Sequence, residues 1–419
     1  MRKAKITHHD LTLSIKPETS YLHAVDTLQL ENLTQTLTLH LGKHFTIKSV
    51  VQNQTPLKCT KTEENRHTIQ YRIRLLDQSP LTIEYDGYCN AFTGYGVTII
   101  TADIIELSGF GFYFPTVEKQ SQLEAFTYQL NLDLSSNWQV VCPDDETFEE
   151  TSLEKRSFSY RQQPLEDIFI CASKTFVVHR YRDFSLVLPD LLDAEKEAMI
   201  AEYDSVVDLL LETFGDLKNQ QNTVAVVSPR GEGAQEWGYE RAHMWVIGDV
   251  FLRYAHQHDW VLHGLKKSLS MHETIHAWIG IGVKMSPYMK EAITQYLEVV
   301  LTETLFQIPD LSKAYFTWYQ NRLSSTTTAQ TKTIKALTLL DNHYNHWYLK
   351  GALAFHDLEK KVSRACLLES FTSLYEKYNH KEISDRTLIE HLGSILNLKL
   401  DEFYYHWFEK PGLRSFFEM

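Results

Sequence analysis

Apolar and polar residues alternate through the first part of the chain. Leu11, Leu13 and Ile15 follow this rhythm, as do Leu37, Leu39 and Leu41. It returns at Ile69, Tyr71, Ile73 and Leu75, at Leu81, Ile83 and Tyr85, and at Tyr128, Leu130, Leu132 and Leu134. A period of two with one polar face predicts antiparallel strands that cover a core on one side. Asp167–Cys171 reads as a more apolar strand. Residues 1–178 are therefore expected to form an N-terminal all-β domain, a sandwich or a saddle-like sheet.

From about residue 179 the period changes. Phe184–Leu188 reads as a strand stopped by Pro189. Asp193 is expected to cap a helix with Met199, Tyr203, Val206, Val207, Leu210 and Phe214 on one stripe, closed by Gly215. Thr223–Ser228 and Ala242–Ile247 read as short apolar strands. After Leu305 helical spacing dominates, over Leu311–Leu323, Ala329–Leu340, Trp347–Val362 and Leu367–Tyr378, with Ser384 capping a further helix. The expected class is a multidomain α+β protein. An all-β domain over 1–178 precedes a second domain over 179–419, whose strand-and-helix part is 179–305 and whose helical part is 306–419.

The chemistry concentrates in HETIHAWIGIGVKMSPYMKEAITQYLE, residues 272–298. His272 and His276 are four apart, so a helix places both imidazoles on one face, where they can reach one metal ion. Glu273 lies beside the first His, where a water activated by that metal would sit. This is the H-E-x-x-H arrangement, in which the Glu is a general base and the metal is usually zinc. A catalytic zinc needs a third protein ligand and one open position. Gly280 and Gly282 are expected to end the first helix and Pro287 to open a second, from about Tyr288 to Leu305. Glu291, in its first turn, is the expected third ligand. Glu298, seven residues on and on the same face, suits a carboxylate that accepts a ligand His N–H and fixes its tautomer.

Composition narrows the classes. The chain has 419 residues, enough for two or three domains. No run of 18 apolar residues is present, so no membrane span is expected. The N-terminal MRKAKITHHDLTLSI lacks an apolar core, so no signal peptide is expected. Five scattered cysteines without metal-ligand spacing read as reduced thiols of a cytoplasmic protein. A net charge of −13 argues against nucleic acid as a partner. Oligomeric state is not readable.

HETIHAW followed by KEAITQYLE resembles the aminopeptidase N and leukotriene hydrolase family of zinc metallopeptidases, a gluzincin group. That family shows H-E-x-x-H-x-W and then N-E-G-x-x-x-Y-x-E. The resemblance places His272, His276 and Glu291 on the metal ligands, Glu273 on the base and Glu298 on the outer carboxylate. The spacer between the second His and the ligand Glu is fourteen residues here and eighteen in the family, and Lys290 and Ala292 stand for the usual Asn and Gly. Strand and helix ahead of the zinc motif then fit a thermolysin-like catalytic domain. The family also carries a β domain in front.

Two further pieces follow from the resemblance. Gly233-Ala234-Gln235-Glu236 is similar to the family's G-A-M-E-N, in which the Glu binds the substrate's free α-amine. That implies substrate binding by Gly233, Ala234 and Glu236, with Glu232 and Glu240 as fallbacks and an exposed loop Glu as the plain alternative. Tyr348-Leu349-Lys350-Gly351-Ala352 is similar to Y-x-K-G-A, whose Tyr hydroxyl donates to the oxyanion of the tetrahedral intermediate. Tyr344 is a near alternative to Tyr348. His343 and His346 read as surface or core residues. The end, LKLDEFYYHWFEKPGLRSFFEM, is similar to the family's D-x-F-x-x-W-x-x-x-P-G, and the larger members' C-terminal domains are expected to be lacking.

The expectation is a zinc-dependent aminopeptidase with one Zn2+ per chain, acting on peptides with a free N-terminus. The alternatives are a zinc endopeptidase of thermolysin type and an inactive peptidase-like binding or scaffold protein.

Overall fold

The alternating segments form strands. In this computed structural model, residues 4–31, 35–65, 67–93, 96–117, 125–142, 148–152, 155–165, 167–218, 223–229, 238–241, 244–248, 261–262, 265–268, 270–326, 331–337 and 344–413 are described. An eight-stranded sheet runs, edge to edge, through Phe148–Ser152, Lys155–Leu165, Phe126–Asp133, Lys5–Lys16, Tyr21–Glu31, Leu81–Tyr88, Phe45–Gln52 and Thr55–Pro56. Its inward positions are the apolar half of each period: Leu11, Leu13, Leu22, Leu130 and Ile83 are fully buried.

A three-stranded sheet (Thr36–Gly42, Thr68–Arg74, Cys59–Glu64) and a five-stranded one (Gln139–Val141, Ile170–Ser173, Ile104–Leu107, Gly96–Ile100, Asn90–Thr93) complete the β-rich part. Leu37, Ile73, Ile105 and Ile170 from these sheets share one core with Leu11 and Leu130. One pairing departs from the antiparallel expectation. Lys5–Lys16 and Phe126–Asp133 are parallel, with Leu11 opposite Leu130. A parallel partner needs a long crossover, and more than a hundred residues separate these two strands. The strand expected at Asp167–Cys171 begins at Ile170.

By internal contacts the chain resolves into two units. The first comprises Met1–Val178, Val187–Asp190 and Val226–Val250; the second comprises His179–Leu186, Leu191–Ala225 and Phe251–Met419.

In the second unit, Asp193–Phe214 is a helix whose buried face includes Met199, Tyr203, Val206, Val207, Leu210 and Phe214, the expected stripe. Its start differs. Leu192 is the cap residue, its N–H donating to Glu195 Oε2 at 3.2 Å, so Asp193 is the first helical residue rather than the cap. Pro287–Phe306, Leu311–Ser324, Gly351–Val362, Arg364–Tyr378 and Asp385–Leu396 are further helices. Ser384 caps the last, accepting from the Thr387 N–H. The helix expected over 329–340 is not continuous: residues 332–337 form turns. There Trp347 Nε1 donates to Ile334 O, and the Lys335 N–H to Phe408 O. Within the described residues no helix is long and apolar enough to cross a membrane.

Candidate active site

The first His lies on a short helix, Met271–Ile275. Regular helical geometry stops there, before Gly280 and Gly282. The chain first tightens, with Ala277 N donating to Thr274 O and Trp278 N to Ile275 O, and then opens into wider turns in which Ile281 N donates to His276 O and Gly282 N to Ala277 O. His276 keeps right-handed helical backbone angles, so the four-residue spacing still brings the two imidazoles together, edge to face with ring centroids 5.1 Å apart. Trp278 fixes this piece from below. Its indole N–H donates to Gly215 O at 3.0 Å and its ring lies against Phe184 and Phe214.

Pro287 opens the return helix at its first turn, where a missing N–H costs nothing. Glu291 follows one turn later. Its Oε2 lies 3.3 Å from His272 Nε2 and 3.6 Å from His276 Nε2. Ligand atoms of His272, His276 and Glu291 all fall within 4.8 Å of one another.

The opposite ring nitrogens are engaged. His272 Nδ1 is 3.0 Å from Glu298 Oε2. His276 Nδ1 is 3.0 Å from Ile279 O and 3.3 Å from Thr294 Oγ1. Both Nε2 atoms therefore face Glu291. Four zinc ligands at about 2.0–2.1 Å in a tetrahedron have edges of about 3.3–3.4 Å. The donor set and its spacing fit a small divalent cation with a fourth position left for solvent.

Around this core lie residues the sequence did not single out. Lys267 Nζ is 3.0 Å from Glu298 Oε1. Gln295 Nε2 donates to Glu298 Oε2 at 2.7 Å and to Tyr319 OH at 2.9 Å. Lys290 Nζ is 3.2 Å from Glu291 Oε1. Gln295 could have been read from helix spacing, since 291, 295 and 298 share a face. No spacing rule points to Lys267, five residues ahead of His272.

Charge follows from these contacts. Burial opposes charge on His272, but hydrogen bonds to Glu291 and Glu298 and the field of the carboxylates outweigh it and lift its pKa to about 10. Burial would raise Glu298; Lys267 and His272 hold it down at about 2. Glu291 is likewise held well below the carboxylate range, burial being outweighed by Lys290, His276 and His272. At Glu273 the balance reverses, and burial raises it in spite of the two imidazoles.

Tyr348 lies on a π-helical turn, Asn345–Lys350, that feeds into the helix from Gly351. Its ring stacks on His272, with centroids 5.6 Å apart, and Tyr344 stacks behind it at 5.2 Å. Burial, then the charges of Glu291 and Glu273, push its hydroxyl well above the ordinary range. It is a neutral O–H donor beside His272. His346 is buried, as expected of a core residue.

Gly233, Ala234 and Glu236 lie outside the described residues, as do Glu232 and His343. Glu240 lies in the strand Tyr239–Arg241, paired across from Trp245. In the same unit Glu106, fully buried, accepts hydrogen bonds from Ser228 Oγ and Tyr239 OH, residues on either side of the 230–237 segment.

Two imidazoles and a carboxylate from a helix, a turn and a return helix, with the half-buried carboxyl of Glu273 next in sequence to the first His, form the donor set of a metallopeptidase-type site. The comparisons agree. Residues 263–407, the stretch that carries the site, match the model of the Peptidase family M1 domain. Among solved structures, an M1 zinc metallopeptidase from Deinococcus radiodurans, a mutant bound to a Tyr-Ser-Ala substrate, superposes with a TM-score of 0.69 at 16% identity, over 99% of this chain and 96% of that one. Yeast LTA4 hydrolase gives 0.71 at 16% identity, over 98% of this chain and 69% of that one. At such identities the likeness establishes the fold, an N-terminal β region followed by a mainly helical domain. No curated protein matches. The resemblance drawn from HETIHAW and KEAITQYLE is thus borne out.

Proposed function

We propose that this chain is a zinc-dependent aminopeptidase that removes the N-terminal residue from peptides. The observation that carries the reading is the convergence of His272, His276 and Glu291, with the half-buried Glu273 next to His272 in the same helix. These three side chains would hold Zn2+. When bound, the ion would polarise a water and the scissile carbonyl.

The chain's own groups supply the rest. Glu273 takes the water's proton and passes it to the leaving amine, base first and acid second. Burial raises its carboxyl above the ordinary carboxylate range, the direction that favours a group which takes up a proton and later gives it back. Tyr348, kept protonated, donates its O–H to the developing oxyanion. Glu298 and Ile279 O hold the two imidazoles in the tautomer that presents Nε2. Glu236, with Gly233 and Ala234, anchors the substrate's α-ammonium. That anchor makes the activity an aminopeptidase rather than an endopeptidase.

The test is a panel of aminoacyl fluorogenic substrates and matched N-acetylated peptides, run with and without a chelator, on the parent and on Glu273→Gln. Expected are cleavage of free N-termini alone, loss on chelation, and at least a hundredfold loss of kcat in the variant with zinc retained. Cleavage of acetylated peptides at equal rates would make it an endopeptidase. Full activity of Glu273→Gln would sink the mechanism.

A further inference from the structure

We propose that Lys290 is a positioning residue for the metal site. It holds the outer oxygen of Glu291, so that the carboxylate presents a single oxygen to the two imidazoles. The inference rests on the metal-site reading above.

The two oxygens of Glu291 have different company. Oε2 faces His272 Nε2 and His276 Nε2 at 3.3 and 3.6 Å. Oε1 faces Lys290 Nζ at 3.2 Å. A carboxylate on a flexible stem can rotate, present either oxygen, or chelate with both. An ammonium fixed on one oxygen removes two of those three choices.

Lys290 is itself held in a built channel. Its backbone N–H donates to Ser286 O in the first helical turn, which sets the direction of the stem. The stem then crosses the backbone at Gly280. A Cβ at Gly280 would lie 2.6 Å from Lys290 Cδ, 3.1 Å from Cγ and 3.4 Å from His276 Nδ1. Gly280 also has φ +122, a conformation that side-chain-bearing residues rarely adopt, and its N–H closes a turn onto Val283 O at 3.0 Å. The loop between the second His and Glu291 thus leaves a groove of one missing side chain, and the Lys290 stem fills it. The ammonium reaches the ligand carboxylate with about a fifth of its side chain exposed.

Charge and position make opposite forecasts, which is what makes the idea testable. A positive charge beside a cation site weakens cation binding if it acts through its field alone. If it acts by orienting the ligand, its removal weakens binding instead, as loss of an outer partner of a metal ligand usually does, by about 10- to 100-fold.

The experiment is cobalt(II) uptake by the full chain, measured by competition with a chelating dye, together with the visible spectrum of the cobalt form. That absorption weakens as the coordination number rises. Lys290→Met keeps the stem over Gly280 and deletes the ammonium; Lys290→Gln keeps an N–H donor without the charge. Expected are affinity about tenfold lower for the Met variant with a weaker visible band, and recovery of most of both in the Gln variant, at unchanged melting temperature of the metal-free chains. Equal or tighter cobalt binding by Lys290→Met with the parent spectrum overturns the role of Lys290. If the Met variant does not fold, Lys290→Gln decides alone: affinity within about threefold of the parent and the parent band support the role, and a gain in affinity overturns it. An unsubstituted chain that takes up no cobalt overturns the metal site and this inference together.

Discussion

Gly351 opens the helix that follows the Tyr348 turn, at φ −60, where any residue is sterically at ease with its own backbone. Helix propensity alone says that Gly351→Ala should stabilise the protein by about 1 kcal/mol. The packing says otherwise. A Cβ at Gly351 would lie 2.5 Å from Ala292 Cβ and 3.0 Å from Ala292 Cα. Carbon atoms in contact sit about 3.5–4.0 Å apart, so the two helices must separate by about 1 Å or more. Both carbons adjoin backbone, and no rotamer change can relieve the overlap. Overpacking costs about 1–3 kcal/mol, and a rigid contact belongs at the upper end, so the net expectation is about 2 kcal/mol of destabilisation. The displacement would fall on Tyr348, three residues before the substitution, and on Glu291, one residue before Ala292. On the proposed mechanism, a shift of about 1 Å between these groups costs about a hundredfold in rate. Ala292→Gly placed on top of Gly351→Ala should return the missing space and bring stability within about 1 kcal/mol of the parent, the remainder being the cost of a helical Gly. The assays are urea unfolding by far-UV circular dichroism and turnover of an aminoacyl fluorogenic substrate. The coupling between the two positions comes from the double-mutant cycle. A single variant as stable as the parent, or a double variant no better than the single one, would refute the contact.

Tyr348→Phe deletes only the hydroxyl beside Glu291 and should lower kcat by about 100- to 1000-fold with KM little changed, because an oxyanion donor acts on the transition state; steady-state kinetics within threefold of the parent would remove Tyr348 from the mechanism. His44, pressed against Phe45 with its Nε2 buried, has its pKa lowered from 6.5 to about 4, by burial first and the Lys43 charge second. The unfolded chain therefore binds a proton below about pH 6.5 that the folded chain refuses until about pH 4. Stability should be lost as pH falls across that window, by up to about 3 kcal/mol, and His44→Phe should flatten that part of the profile; an unchanged slope in the variant would exclude His44 as its source.

What could be read from the sequence was whatever local geometry alone decides. Leu11, Leu13 and Ile15 declare a strand because side chains alternate across it, and Met199 to Phe214 declare a helix because they share a stripe. His272, Glu273 and His276 lie within five residues, so helical spacing already fixes their relation. Glu291 needed only a turn and a Pro-started helix. The parallel partner of Lys5–Lys16 was not legible, because nothing local sets the register between strands so far apart. Nor was the π-helical turn under Tyr348, whose apolar spacing reads as ordinary helix. Lys267 and Lys290 were missed for another reason. A lysine stem reaches several ångströms in many directions, and only the packed structure decides that one ammonium ends on Glu298 and the other on Glu291.

The return helix shows why the site and the fold are one problem. Ala292, Ile293, Tyr296, Leu297, Val299 and Val300 are buried, and so are Glu291, Thr294, Gln295 and Glu298. A helix enclosed on all sides is ordinarily apolar on all sides. Here one face is polar, and four groups on it have partners: Glu291 the imidazoles and Lys290, Thr294 the ring of His276, Gln295 the phenol of Tyr319, Glu298 both His272 and Lys267. Removing a partner strips hydrogen bonds from buried donors and acceptors, and one left unpaired costs more than the bond itself contributes. Substitutions on this face should therefore depress stability and metal affinity together, whereas those on the apolar faces, Ala292 excepted, should act on stability first.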